Sequence, residues 1–207
     1  MEHVTWYTIR TAGITAYLLL FLTVATGLVL SGPGGAWWKG IPILPLHRFL
    51  TWLMGAFLAV HVLVLLVDTY LRFSLLAVLV PFTSGFEPFW TGIGVLALYL
   101  LALVVASTAI RRELHNLLWY GLHLLSYPAF VFSTAHGIKT GADTRHGWML
   151  ALYLACTAIA AALLARRFTR LAAGTPDRLQ RWGPGVIAGG AFTAMVLVLL
   201  STRVGYP

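Results

Sequence analysis

The sequence predicts an all-α, polytopic membrane helical bundle with six transmembrane helices, a single domain over residues 1–207. Composition points there first: 59% of the residues are hydrophobic and 10% are charged, with a mean hydropathy of +0.85, the balance of an integral membrane protein. Length agrees, because a helix needs about 20 apolar residues to cross a hydrocarbon core roughly 30 Å thick. Six runs meet that need, at residues 11–31, 46–67, 91–110, 115–137, 148–165 and 184–202.

The first run is too long for the hydrophobic stretch of a signal peptide, and the SGPGGAWWKG after it offers no small-residue cleavage pattern, so it is expected to stay as a helix. The second, PLHRFLTWLMGAFLAVHVLVLL, holds no ionisable residue except His47 and His61 once Arg48 and Asp68 at its ends are set aside. The third is apolar up to Arg111 and Arg112, and the fourth contains WYGLHLLSYPAFVFSTAHG, with His123 and His136 on either side of Pro128. The fifth carries the lone cysteine, Cys156, so no disulfide can form within the chain. The sixth follows the polar stretch LAAGTPDRLQRWGPG. Trp37, Trp38, Trp90 and Trp148 fall at predicted span ends, where an aromatic belt anchors helices at the interface.

Loop charge predicts orientation. The loops after helices one, three and five carry Lys39, Arg48, Arg111, Arg112, Arg166, Arg167, Arg170, Arg178 and Arg181, nine of the 14 basic residues. Arg10, Arg72, Lys139, Arg145 and Arg203 lie on the other side. The cytoplasmic excess of Lys and Arg then places both termini outside a plasma (cell) membrane, with helices two and four running in the same direction. The net charge of +8 is mainly a topology signal, and no nucleic-acid partner is expected. No Walker motif, G-x-G-x-x-G or H-E-x-x-H occurs, so no nucleotide site is recognisable.

An ionisable residue inside a span is costly and is usually kept for a function. His47 and His61 are fourteen residues apart, a rise of about 21 Å and a phase of about −40° on a straight helix, so they share a face with one near each side of the membrane. His123 and His136 are thirteen apart, which gives about 20 Å but a phase of roughly 140°. Pro128 removes a helix hydrogen bond between them and can shift that phase. With the two helices parallel, His47 pairs with His123 near the cytoplasm and His61 with His136 near the exterior. Neutral imidazole is a good iron ligand and costs less to bury than a charge. The two pairs therefore predict axial ligation of two stacked haems, of b type because the C-x-x-C-H attachment motif is absent. Filling both axial positions favours outer-sphere electron transfer over oxygen binding at iron. The bland alternative for any one buried histidine is a structural hydrogen bond.

Charged neighbours extend the site. Arg48 is expected to pair with a propionate of the inner haem, and Arg111 and Arg112 are either topology determinants or a dock for an acidic electron donor. His115 is expected at a helix end, with His3 and His146 solvated. On the exterior face, Asp68, Glu87 and Asp143 offer hard oxygen ligands to a ferric ion, while Lys139 and Arg145 suit an anionic iron chelate or haem propionates.

The H-x13-H and H-x12-H spacings, RRELHNLLWYGLH, and Trp119, His123, Tyr127 and His136 resemble the ferric reductase-like transmembrane domain family. That family includes ferric reductases, NADPH oxidases and the haem membrane subunit of the bacterial methionine sulfoxide reductase system. WYTIRTAGITAYLLLFLTVATG, VPFTSGFEPFWTGIG and HGIKTGADTRHGWM look like small actinobacterial-type members, and the likeness covers about residues 6–168. It implies a haem-binding core over about 45–165, with 184–202 as an extra C-terminal helix. Many relatives continue into a cytoplasmic domain for FAD and NADPH. Here Arg166 and Arg167 lead instead into the sixth helix, so the flavin is expected on a separate partner. The resemblance implies a ferric reductase-like cytochrome b, an oxidoreductase taking electrons from a cytoplasmic donor such as a reductase, a ferredoxin or a quinol. They would pass to an exterior acceptor, whether ferric iron, a quinone or a partner protein. Two other functions stay open: a haem-bearing anchor subunit of a larger redox complex, and a non-redox bundle using its histidines for proton conduction or structure.

Overall fold

The computed structural model describes residues 2–30, 40 and 42–172, with side chains over 4–30, 40 and 42–167. Trp37, Trp38, Lys39, Arg170, Arg178, Arg181 and Arg203, the side chain of His3 and the expected span 184–202 lie outside that description. The described elements are all helical: α1 (Glu2–Leu30), α2 (Ile43–Val67), α3 (Leu75–Leu79), α4 (Pro88–Ala109), α5 (Asn116–Leu124), α6 (Ser126–Thr140), a 3-10 turn at Ala142–Arg145, and α7 (Gly147–Ala172). Among them α1, α2, α4 and α7 are each long and apolar enough to cross a membrane.

Four of the six expected spans stand as single long helices among the described residues, and for the fourth the reason for its absence from that set is chemical. That span is divided into α5 and α6, which meet at Leu125. Pro128 has no N–H, so the Leu124 carbonyl loses the donor it would meet four residues on. Leu125 closes a tighter turn instead, donating its N–H to the Leu122 carbonyl at 3.1 Å. The interruption stands between His123 and His136, where their thirteen-residue spacing required a change of phase.

Three polar ties fix the order of the passes. Thr5 at the start of α1 donates to Asp68 just past α2 at 2.6 Å. Arg10 of α1 makes a two-pronged ion pair with Asp143 beyond α6. At the other end Arg167 of α7 donates to the Tyr120 and Tyr127 hydroxyls at 3.0 and 3.4 Å. Successive passes therefore alternate in direction, and α2 runs parallel to the α5–α6 pair. The two ends are named below by Arg10 and by Arg48. Between them the core is aromatic: Tyr17 of α1 stacks on fully buried Phe130 of α6 at 5.6 Å and tilts against Tyr153 of α7 at 4.6 Å.

Helix α2 has two faces. Leu50 and Met54 are buried on one, while Phe49, Trp52, Val60, Leu63 and Val67 form an exposed stripe on the other, Trp52 with 75% of its surface uncovered. Leaving such side chains in water forgoes about 1.5–3 kcal/mol each relative to burial. A lipid bilayer is the environment compatible with that stripe.

Asp68 shows how the α2–α3 connection is held. Burial raises its carboxyl pKa, but hydrogen bonds from the Leu71 N–H (2.7 Å), the Thr5 hydroxyl (2.6 Å) and the Tyr70 N–H (3.2 Å) outweigh that effect, and the group sits below its ordinary value of 3.8. A depressed carboxyl stabilises the fold fully above the unfolded value, and that stabilisation is lost as pH falls through the folded one. We expect the melting temperature in detergent to decline below about pH 4. Asp68→Asn should flatten that decline and lower the melting temperature at pH 7, both read by a thermal scan across pH.

Candidate haem-ligand site

The four histidines meet in the expected pairs. His47 of α2 and His123 of α5 lie together at the Arg48 end, ring centroids 6.3 Å apart. His61 of α2 and His136 of α6 line one cavity of ≈ 620 Å³ at the Arg10 end. Two imidazoles sharing one metal ion, each with a metal–nitrogen bond of about 2.0–2.1 Å and a ring radius of roughly 1.1 Å, have centroids about 6.2–6.4 Å apart. The separation at the Arg48 end fits that figure, and the cavity at the Arg10 end has the volume of a cofactor site, for which about 300–1,000 Å³ is usual.

Backbone carbonyls orient three of the rings. His47 Nδ1 lies 3.0 Å from the Thr23 carbonyl, with Thr26 Oγ1 at 3.2 Å. His61 Nδ1 lies 2.8 Å from the Ile9 carbonyl, and His136 Nδ1 lies 2.9 Å from that of Trp90. A carbonyl only accepts, so each Nδ1 must carry the proton and donate it. In a neutral ring that leaves the lone pair on Nε2. Metal-binding histidines are held in this way, their second N–H given to a carbonyl or carboxylate that fixes tautomer and orientation.

Each of those rings also rests on a glycine. A Cβ on Gly13 would stand 2.9 Å from His61 Nδ1, one on Gly27 would stand 3.4 Å from His47 Cε1, and one on Gly94 would stand 2.6 Å from His136 Nδ1. These glycines, and the carbonyls of Ile9, Thr23 and Trp90, were not singled out in the sequence. One trace was present: Gly13 and Gly27 are fourteen residues apart, the separation of His47 and His61 on the antiparallel neighbour. Trp90, expected only as an interface anchor, holds His136 through its backbone, and its ring lies 5.3 Å from Lys139 Nζ.

His123 is the exception. Its Nδ1 is buried without a hydrogen-bond partner among the described residues, as is Nε1 of Trp119, whose ring stacks on it at 5.0 Å. The Arg111 guanidinium covers the other ring system of that stack, 4.3 Å from Trp119. One fourteen-residue step along α4 from Trp90 and Gly94 come Val104 and Thr108. Thr108 is not a glycine, and the Val104 carbonyl already accepts the Ser107 and Thr108 hydroxyls at 3.0 and 2.8 Å.

The remaining candidates are placed unevenly. Arg48 is exposed beside His47, with no hydrogen bond or ion pair among the described residues, and Arg112 is also exposed. His115 caps α5, its Nδ1 accepting from the Leu117 N–H at 3.3 Å. His146 and Trp148 are exposed, Glu87 begins α4 in a left-handed conformation, and Lys139 is buried. Asp68 and Asp143 are taken up by the helix ties described above. Among the described residues no three or more His, Cys, Asp or Glu side chains converge as a metal site. Two facing imidazoles are the donor set that a bis-histidine haem would need from the chain. Comparison of the chain with protein-family models, curated proteins and solved structures finds no match.

Proposed function

We propose that this protein carries electrons across a membrane through two b haems, one held by His47 and His123 and the other by His61 and His136. One observation carries the proposal: two facing histidine pairs at opposite ends of the bundle, three of whose four rings have Nδ1 committed to a backbone carbonyl and Nε2 left for a ligand. A bis-histidine b haem supplies a one-electron centre with both axial positions filled. The chain's part is to orient the imidazoles, to surround them with apolar side chains such as Met54 and Tyr153, and to set the centres on one face of α2. Arg48 is proposed as a partner for a propionate at the Arg48 end.

The chain is then a multi-pass protein of the plasma membrane, with the Arg48 end in the cytoplasm by its basic loops. It resembles the ferric reductase-like family and acts as an oxidoreductase with a separate flavin reductase or other cytoplasmic donor. The acceptor meets the Arg10 end. A ferric ion held by Asp68 and Asp143 gains no support from their positions, because both are engaged in ties between helices. An anionic chelate near Lys139 and Arg145, a quinone and a partner protein stand as the other acceptors.

The test is a pyridine haemochrome assay on the purified protein, with protein quantified by amino-acid analysis. About two b haems per chain are expected, one at each histidine pair. A colourless protein that stays so after haem reconstitution would remove the proposal and favour a histidine-lined bundle without redox function.

A further inference from the structure

The three seated histidines share a backbone pattern. The carbonyl acceptor and the close glycine are Ile9 and Gly13 for His61, Thr23 and Gly27 for His47, and Trp90 and Gly94 for His136. In every case the glycine follows the carbonyl residue by four. A helical Cβ leans toward the N-terminus, so the side chain at i+4 lies over the carbonyl of residue i. A glycine there uncovers the carbonyl's outer lone pair while its own N–H keeps the helix bond.

We propose that Gly13, Gly27 and Gly94 are positioning residues. Each opens a helix carbonyl one turn before it, and the imidazole that settles on that carbonyl is locked as the Nδ1–H tautomer with Nε2 presented to a ligand. The function assigned to that Nε2 rests on the haem proposal; the seat itself does not. Small residues in membrane helices usually serve close approach of two backbones. Here the atoms that a Cβ would meet are the histidine rings. Gly55 and Gly121 have nothing within 4 Å of that position, so they serve as controls.

The distances set an order. Gly94→Ala should have the largest effect, Gly13→Ala the next and Gly27→Ala the smallest, following 2.6, 2.9 and 3.4 Å. Loss of a group that orients a metal ligand weakens affinity by about 10–100-fold, and Gly94→Ala is expected in that range for the Arg10-end haem. Helix propensity alone predicts the opposite sign, since alanine is the better helix former.

The experiment uses the full chain with 15N-labelled histidine, as isolated and after haem removal, in detergent. Long-range proton–nitrogen spectra of the haem-free protein read which ring nitrogen bears the proton, and redox titration of the loaded protein reads the midpoint potentials. The expected result is loss of the fixed Nδ1–H signature at His136 in Gly94→Ala and at His61 in Gly13→Ala, with little change at His47 in Gly27→Ala, whose Cβ would make an ordinary 3.4 Å contact. A shifted potential at the same end should accompany it, with Gly55→Ala and Gly121→Ala unchanged. Gly94→Ala and Gly13→Ala variants that match the controls in both readouts would overturn the proposal. Should Gly94→Ala fail to fold, Gly13→Ala decides, because a Cβ there would stand 2.9 Å from His61 Nδ1 and the ring must move. A wild-type protein that binds no haem but shows the three Nδ1–H signals, with those of His136 and His61 lost in Gly94→Ala and Gly13→Ala, would sustain the seats and remove the haem function.

Discussion

Replacing His61 or His136 with alanine is expected to lower the haem b content from about two per chain to about one, since losing one of two axial ligands removes the fixed site. His47→Ala and His123→Ala should do the same at the other end. The double variant His61→Ala/His136→Ala should resemble either single one, because both members of a pair serve one centre. Haemochrome quantification checks all three statements. Retention of two haems in His136→Ala would break the assignment, because among the described residues the cavity is lined by no histidine besides His61 and His136.

Transfer across the bilayer should respond more steeply than haem content. In proteoliposomes with ferricyanide trapped inside and a reductant outside, the wild-type protein is expected to reduce the trapped acceptor. His47→Ala and His61→Ala should each fall to the leakage rate of protein-free vesicles. The cause is distance: His47 and His61 are fourteen residues apart on α2, a rise of about 21 Å, so removing either centre leaves a gap that nothing else on that face bridges. The assay follows absorbance of the trapped acceptor with time. A variant with one haem and undiminished transfer would show that the two pairs do not form a relay.

Much of the bundle was legible in the sequence because the bilayer imposes a simple demand. Apolar length identified the four long helices, although α1 begins well before residue 11, since EHVTWYTIR remains helical despite its polar residues. Pro128 announced the trouble in the fourth span, and the break came at Leu125 because the missing N–H is felt four residues upstream. Helix α3 was not foreseen: five residues leave no periodicity to detect, and their start is set by Ser74, which accepts from the Ala77 N–H. The histidine pairing was legible from residue type and from the shared phase of His47 and His61, whereas the phase of His123 and His136 opposed it and only Pro128 offered a way round. The seats were not, because the groups that hold the rings are carbonyls, which every residue possesses. Only the absence of a Cβ at Gly13, Gly27 and Gly94 distinguishes those carbonyls from the rest, and a glycine in an apolar helix has several ordinary explanations. Asp68 and Asp143 were misjudged as free ligands because their partners, Thr5 and Arg10, are remote in sequence and near only once α1 packs against the loops.

The missing seat of His123 bears on how the protein is assembled. At the Arg10 end both imidazoles are already turned and held before any cofactor arrives, so capture costs them little further rotational freedom. At the Arg48 end only His47 is prepared, and His123 must give up ring rotation as it engages. Preorganised groups bind more tightly than ones that must be ordered. Stepwise addition of haem to the stripped protein should therefore fill the Arg10 end first, leaving a half-loaded chain that takes up cofactor without conducting from side to side. On the haem proposal, conduction would begin only when the last histidine has been recruited, and recruitment of His123 would be the final step of maturation.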